Sequence, residues 1–142
     1  MYFLPIAFAS PEFDEYVKIR YTEILEPMGL DFDESLMDAE KDLLHFGLFN
    51  PDFQLLGAVQ LDLSNATVSQ LAISKAYQNR GFGTMLIENI KQVAIEKKLS
   101  SIEIAVSQQL SAFFTKFGFL KIENHSGSEF ESPLVQMKLK LA

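Results

Sequence analysis

Cysteine is absent from the sequence, which excludes disulfides, thiolate nucleophiles and cysteine-bound zinc. Histidine occurs twice, at His45 and His125, too sparse a supply for a dedicated metal site, and no metal is expected. Either could act as acid or base near neutral pH, His45 from a strand and His125 from a loop. Long apolar runs are lacking too, since nothing approaches the roughly 20 residues that a membrane span needs. The apolar start, Met1 to Ser10, is short, has no basic leader and runs into Pro11 and Glu12, unlike a signal peptide. A cytoplasmic protein without membrane contact is the expectation.

Positive charge is also scarce. Twelve Lys and Arg face nineteen Asp and Glu, for a net charge of −7. Phosphate-backbone binding requires a basic face, so nucleic acid is not an expected partner. Arginine appears only as Arg20 and Arg80, and a guanidinium used so sparingly implies a defined partner for each.

What the chain does have is a core. Its 142 residues are 48% apolar, enough for one domain over residues 1–142 and too few for two. Acid is concentrated between Glu23 and Asp42, where eight carboxylates stand against one base, Lys41, and account for the whole net charge. That stretch either attracts a cationic ligand or is a solvated face that maintains solubility.

Periodicity divides the rest. Tyr2 to Phe8 reads as a strand, ended by Ser10-Pro11, where serine can cap and proline can begin a helix. The helix should reach about Leu25, with Phe13, Tyr16, Val17 and Ile24 on one face, before Pro27 and Gly29 stop it. A short second helix around Leu36, Met37, Leu43 and Leu44 is weakly patterned. Alternation then predicts strands over Leu44 to Phe49, Gln54 to Asp62 and Thr67 to Ile73, divided by Asn50-Pro51-Asp52 and Ser64-Asn65. Gly81 to Lys98 returns to helical spacing. Ser101 to Val106 is a strand, Ser107 can cap a short helix to Phe117 that Gly118 ends, and Val135 to Leu141 alternates as a last strand. A meander feeding a βαβ crossover predicts an α/β (α+β) fold with a mixed, mostly antiparallel sheet of six to seven strands and helices on both faces.

Between the third strand of the meander and the long helix stands Gln78-Asn79-Arg80-Gly81-Phe82-Gly83-Thr84. Exposed amides and the positive end of a helix can hold phosphate oxygens there, with Arg80 and Thr84 adding charge and a hydroxyl. A pyrophosphate-bearing ligand would suit it. A plainer reading also exists: Gly81 relieves a tight turn and Gly83 lets the helix pack closely on the sheet. A dinucleotide fingerprint fits poorly, because Leu86 occupies its third glycine position, and no Walker lysine follows Gly83.

Gln78 to Gly83 is similar to the Q/R-x-x-G-x-G/A signature of the GNAT acetyltransferases. Ala112-Phe113-Phe114-Thr115-Lys116-Phe117-Gly118-Phe119 resembles that family's second motif at the family's spacing, and Leu71-Ala72-Ile73 resembles its strand beside the pantetheine arm. The resemblance is firm over Val68 to Phe119 and looser elsewhere. It implies the acyl-CoA N-acyltransferase fold, acetyl-CoA as cosubstrate, and transfer of the acetyl group to a primary amine of a small molecule or peptide by direct attack. Gln78, Asn79, Arg80, Gly81, Phe82, Gly83 and Thr84 would then hold the pyrophosphate. Backbone groups of Leu71 and Ile73, with Ala72 between them, would pair with pantetheine as an added strand, and an N–H of that strand would meet the oxyanion.

Two positions depart from the family's pattern. Phe114 stands where many relatives carry the tyrosine that protonates the leaving thiolate, and no tyrosine follows Tyr77. A phenyl ring donates no proton, so Phe114 lines the coenzyme site or is a core aromatic. Gln109 stands where relatives often have an asparagine touching the coenzyme. For a general base, Glu103 and Ser107 on the strand after the long helix are the leading candidates, although alternation also suits Glu103 as an exposed, salt-bridging residue. A catalytically weak acyl-CoA-binding protein is therefore the alternative, and exposed sheet edges offer a route to a homodimer.

Overall fold

The computed structural model describes residues 1–31, 33, 37–122 and 134–141. Glu34, Leu36 and the whole loop from His125 to Pro133 lie outside them. Seven strands form one sheet: β1 Tyr2–Pro5, β2 Leu44–Phe49, β3 Leu55–Asp62, β4 Thr67–Ile73, β5 Ser101–Ser107, β6 Leu120–Lys121 and β7 Leu134–Lys140. Their spatial order is β1-β2-β3-β4-β5-β7-β6. Every neighbouring pair is antiparallel except β4 with β5. That parallel pair is bridged by the long helix α2, Phe82–Glu96, while α1 is Pro11–Arg20 and α3 is Gln108–Thr115.

Local chemistry sets the punctuation. Ser10 accepts a hydrogen bond from the Phe13 N–H at 3.2 Å, and Pro11 occupies the first turn, so α1 starts where the sequence says it should. Asn50 Oδ1 accepts from the N–H groups of Asp52 and Gln54, both at 2.9 Å, and closes the β2 to β3 turn. Asp62 does the same for Ser64 and Asn65 before β4.

The two faces of the sheet carry separate cores. One joins Leu48, Val59, Leu61 and Val68 to Leu86, Ile87, Ile90 and Ala94 of α2 and to Phe114 of α3. The other joins Ile6, Phe49, Leu55 and Ala58 to Phe13 and Tyr16 of α1. β3 lies under both helical layers and is buried along all but its last residue. Each wholly buried leucine or isoleucine contributes about 1.5–3 kcal/mol, which is what holds the layers together.

Several boundaries differ from expectation. The first strand stops at Pro5, although the Ile6 N–H still reaches the His45 carbonyl at 2.7 Å. The first helix is α-helical to Arg20 and then widens to a π turn over Tyr21–Leu25, before Gly29 in the left-handed region ends it. Of the short second helix expected around Leu36, Met37, Leu43 and Leu44, only Met37 and Asp38 are helical among the described residues. α3 ends at Thr115 rather than Phe117, and Gly118, at φ +96, closes it. β6 was not anticipated: two residues are too short to show alternation. No helix of the described residues is long and apolar enough to cross a membrane.

Candidate active site

β4 and β5 pair at two positions only, Thr67 with Glu103 and Val68 with Ile104. Beyond these both strands continue unpaired with each other, so the sheet opens between them. A bulge in β4 accompanies the opening. Gln60 pairs with Ser69 and Ala58 with Ala72, so Gln70 and Leu71 together oppose the single residue Val59. Gln70 sits at φ +53, in the left-handed region. Such a bulge bends its strand and increases its twist, which carries β4 away from β5.

Ladder alternation then exposes a polar edge. The Ser74 N–H donates to the Leu56 carbonyl at 2.9 Å, so Ser74 and Ala72 direct their backbone groups to β3. The N–H and C=O of Ile73 point the other way, into the opening, whereas the peptide between Gln70 and Leu71 leaves the ladder at the bulge, its carbonyl accepting from the Tyr16 hydroxyl. Ala72, buried and paired with Ala58, has no backbone group to offer there.

The opening leads to the turn before α2. Asn79 at φ +62 and Gly81 at φ +84 make it, and no side chain caps the helix that follows, nor does any acid lie in its first turn. The first amides of α2 therefore face outward with the positive helix end behind them. A Cβ at Gly81 would meet nothing within 4 Å, so this glycine is required by its backbone angle rather than by crowding. Gly83 differs: a Cβ there would meet only Phe113 Cζ, at 3.6 Å, an ordinary contact. Close packing of α2 on the sheet does not explain Gly83. Arg80 is exposed and has no carboxylate partner among the described residues, whereas Arg20 has one. Thr84 is half-buried in the first helical turn, and Phe82 meets the Tyr77 ring edge-on at 6.4 Å.

Gln78 links the turn to the strand. Its Nε2 donates to the Ile73 carbonyl at 2.9 Å and to Glu23 Oε2 at 2.8 Å. Glu23, Glu26, Thr22, Pro27 and Lys75 line a cavity with Gln78, so the acidic stretch begins at the mouth of the opening. Its later member Glu40 does not belong there. Glu40 is buried under α1, bidentate with Arg20 at 2.6 and 2.7 Å.

The remaining expected residues disperse. Phe114 is buried and packs edge-on to Phe113 and Phe119, at 5.3 and 5.6 Å between ring centres; it is a core aromatic and offers no surface to a ligand. Its half-buried neighbour Phe113, which the sequence did not single out, is the one beside Gly83. Gln109 is exposed in the first turn of α3. Ser107 stands at the N-cap position of that helix, yet its side chain makes no capping hydrogen bond. Glu103 faces away from Ile102, Ile104 and Val106 and sits opposite Thr67 and Lys138, at the closed end of the opening. From Thr67 to Leu71 is four residues, about 13 Å of strand, so the structure does not bring Glu103 to Leu71. His45 is buried among Phe8, Phe13 and Tyr16. Burial lowers its pKa, against the raising influence of the Glu40 carbonyl, which its Nε2 meets at 3.0 Å.

Comparisons with known proteins bear on the family and the fold. A family model described as an acetyltransferase (GNAT) domain matches residues 30–141. Among solved structures, an acyl-CoA N-acyltransferase from Pseudomonas aeruginosa is similar at 19% identity, with 97% of this chain and 98% of that one covered and a TM-score of 0.78. A GNAT family acetyltransferase from Elizabethkingia anophelis with acetyl-CoA bound aligns at 15% identity, 99% and 97% coverage and a TM-score of 0.72. An aminoglycoside 6'-N-acetyltransferase complexed with coenzyme A aligns at 11% identity, 100% and 98% coverage and a TM-score of 0.79. At these identities the structures share the fold. No curated protein sequence matches the chain.

Proposed function

The chain belongs to the GNAT acetyltransferase family, a family of acyltransferases, and from that premise we propose that it moves an acetyl group from acetyl-CoA to a primary amine of a small molecule or peptide. The observation that carries this reading is the unpaired edge of β4, Leu71 to Ile73, running to the uncapped start of α2. Pantetheine would pair with Ile73 as an added strand, and its pyrophosphate would sit on the amides of Gly81 to Thr84 with Arg80 beside them. The thioester carbonyl would lie at the Leu71 N–H.

The amine nitrogen attacks the carbonyl carbon, and the Leu71 N–H stabilises the resulting oxyanion. The C–S bond then breaks, and the proton shed by nitrogen ends on the departing thiolate through water. No side-chain acid is needed for the balance. Holding both reactants in one opening supplies much of the acceleration. Glu23 and Glu26 at the mouth favour a cationic acceptor.

Calorimetry with acetyl-CoA tests the donor half: micromolar binding is expected, and Gly81→Glu should abolish the heat. Thiol release across an amine library tests transfer. A second reading, an acyl-CoA-binding protein with little turnover, is favoured by the burial of Phe114 where a proton donor would stand. Binding without thiol release from any amine would select it.

A further inference from the structure

Tyr16 lies wholly buried on α1, and its hydroxyl donates to the Gln70 carbonyl at 2.8 Å across 54 positions of sequence. Gln70 is the left-handed residue of the β4 bulge. That conformation costs a residue with a side chain about 1–2 kcal/mol, and it persists where the surroundings hold it. The hydroxyl of Tyr16 does part of that holding.

Peptide planarity adds a second consequence. The Gln70 C=O and the Leu71 N–H belong to one rigid trans unit and point in opposite directions. Drawing the oxygen toward α1, which packs on one face of the sheet, therefore aims the Leu71 N–H away from α1. A carbonyl that accepts a hydrogen bond also polarises its amide, which makes the N–H the stronger donor.

Tyr16 is itself well anchored. The Arg20 guanidinium lies over its ring at 5.1 Å, Phe13 meets it edge-on at 6.1 Å, and Arg20 is tied to Glu40. Burial pushes the phenol pKa far up, so the hydroxyl remains a donor at any working pH.

We infer that Tyr16 is a positioning residue for acyl transfer, whose hydroxyl fixes and polarises the peptide between Gln70 and Leu71 so that the Leu71 N–H meets the oxyanion. The inference rests on the acyl-transfer reading above and assigns to α1 a part in it that the coenzyme-binding residues do not supply.

Isotope-edited infrared of bound [1-13C]acetyl-CoA reads carbonyl polarisation without any acceptor. The wild-type protein is expected to lower the carbonyl band relative to free acetyl-CoA. Tyr16→Phe should lose much of that displacement and keep its calorimetric affinity. Turnover should fall about tenfold, less than the ~10²–10³ that loss of a direct oxyanion donor costs. An undiminished displacement in Tyr16→Phe overturns the inference and leaves the acyl-transfer reading standing. A wild-type band identical with that of free acetyl-CoA removes Leu71 as the donor, and this inference with it. Should Tyr16→Phe fail to fold, fluorotyrosine at position 16 keeps the shape and donates more strongly. A deeper displacement then supports the inference, and an unchanged or shallower one overturns it.

Discussion

Arg20 and Glu40 face each other as a bidentate pair at 2.6 and 2.7 Å, with side chains only 5% and 11% exposed. The pair joins the end of α1 to the segment that enters β2, and the Glu40 carbonyl also meets His45. Removing one partner strands a charge in a place that water does not reach. Glu40→Gln is therefore expected to cost about 3–5 kcal/mol in urea unfolding, whereas replacing both residues with apolar ones of similar volume should cost much less. Equal losses in the single and double variants would show that the pair is not the source of the effect.

His45 gives the fold a pH dependence of definite sign. Burial depresses its folded-state pKa below the ordinary value of 6.5, and its Nδ1 is buried without a partner. In the window below 6.5 the unfolded chain binds the proton that the folded chain refuses, so stability is full above that pH and is lost as pH falls toward the depressed value. Protonation would add charge beside Arg20, with Glu40 as the opposing group. Melting temperature should drop between pH 7.5 and pH 5.5 more steeply in the wild-type protein than in His45→Gln. Parallel curves would assign the acid sensitivity to other groups.

The sequence made local order legible and long-range order much less so. Thr67 to Ile73 and the helix after Gly81 emerged with bounds close to those observed, because alternation and the 3.6-residue spacing are properties of neighbours. The turn at Gly81 was readable for the same reason. Glu40, in contrast, looked like one more solvated acid, and only its contact with Arg20, 20 positions away, makes it a buried anchor. Tyr16 counted simply as an apolar-face residue. The signal available was that a tyrosine on a buried face must find a partner for its hydroxyl, but nothing local names Gln70 as that partner. The bulge that opens the sheet is equally silent, since Gln70 carries no left-handed preference. Phe113 and Phe114 are adjacent and alike in sequence, and helix phase alone decides which meets Gly83 and which fills the core.

Gly81 and Gly83 should respond to alanine in opposite ways. Gly81→Ala forces a side chain into φ +84, which should lower stability by about 1 kcal/mol even though the space is open. Gly83→Ala places a methyl in ordinary contact with Phe113 within a helix, and alanine should leave stability unchanged or raise it by up to about 1 kcal/mol. Its effect should fall on the ligand instead, as an affinity for acetyl-CoA at least about tenfold weaker, because the methyl covers amides that must approach phosphate. Thermal melts and calorimetry on the same two proteins check both halves. Undiminished acetyl-CoA affinity in Gly83→Ala would remove the phosphate-approach role of that glycine.

Phe114→Tyr restores the hydroxyl that the family's pattern leads one to expect, and the structure says that it should not help. The Phe114 ring is 3% exposed and enclosed by Phe113 and Phe119, within the same core as Leu86, Val106 and Met137. A hydroxyl confined there without a partner should destabilise the protein by about 1–3 kcal/mol. The phenol would have to leave the core to reach a departing thiolate, exchanging packing for proton transfer. Turnover per folded molecule should stay at the wild-type level. A gain of tenfold or more in turnover, with the melting temperature unchanged, would mean that the ring turns outward when the coenzyme binds and that transfer in the wild-type chain is limited by protonation of the leaving group.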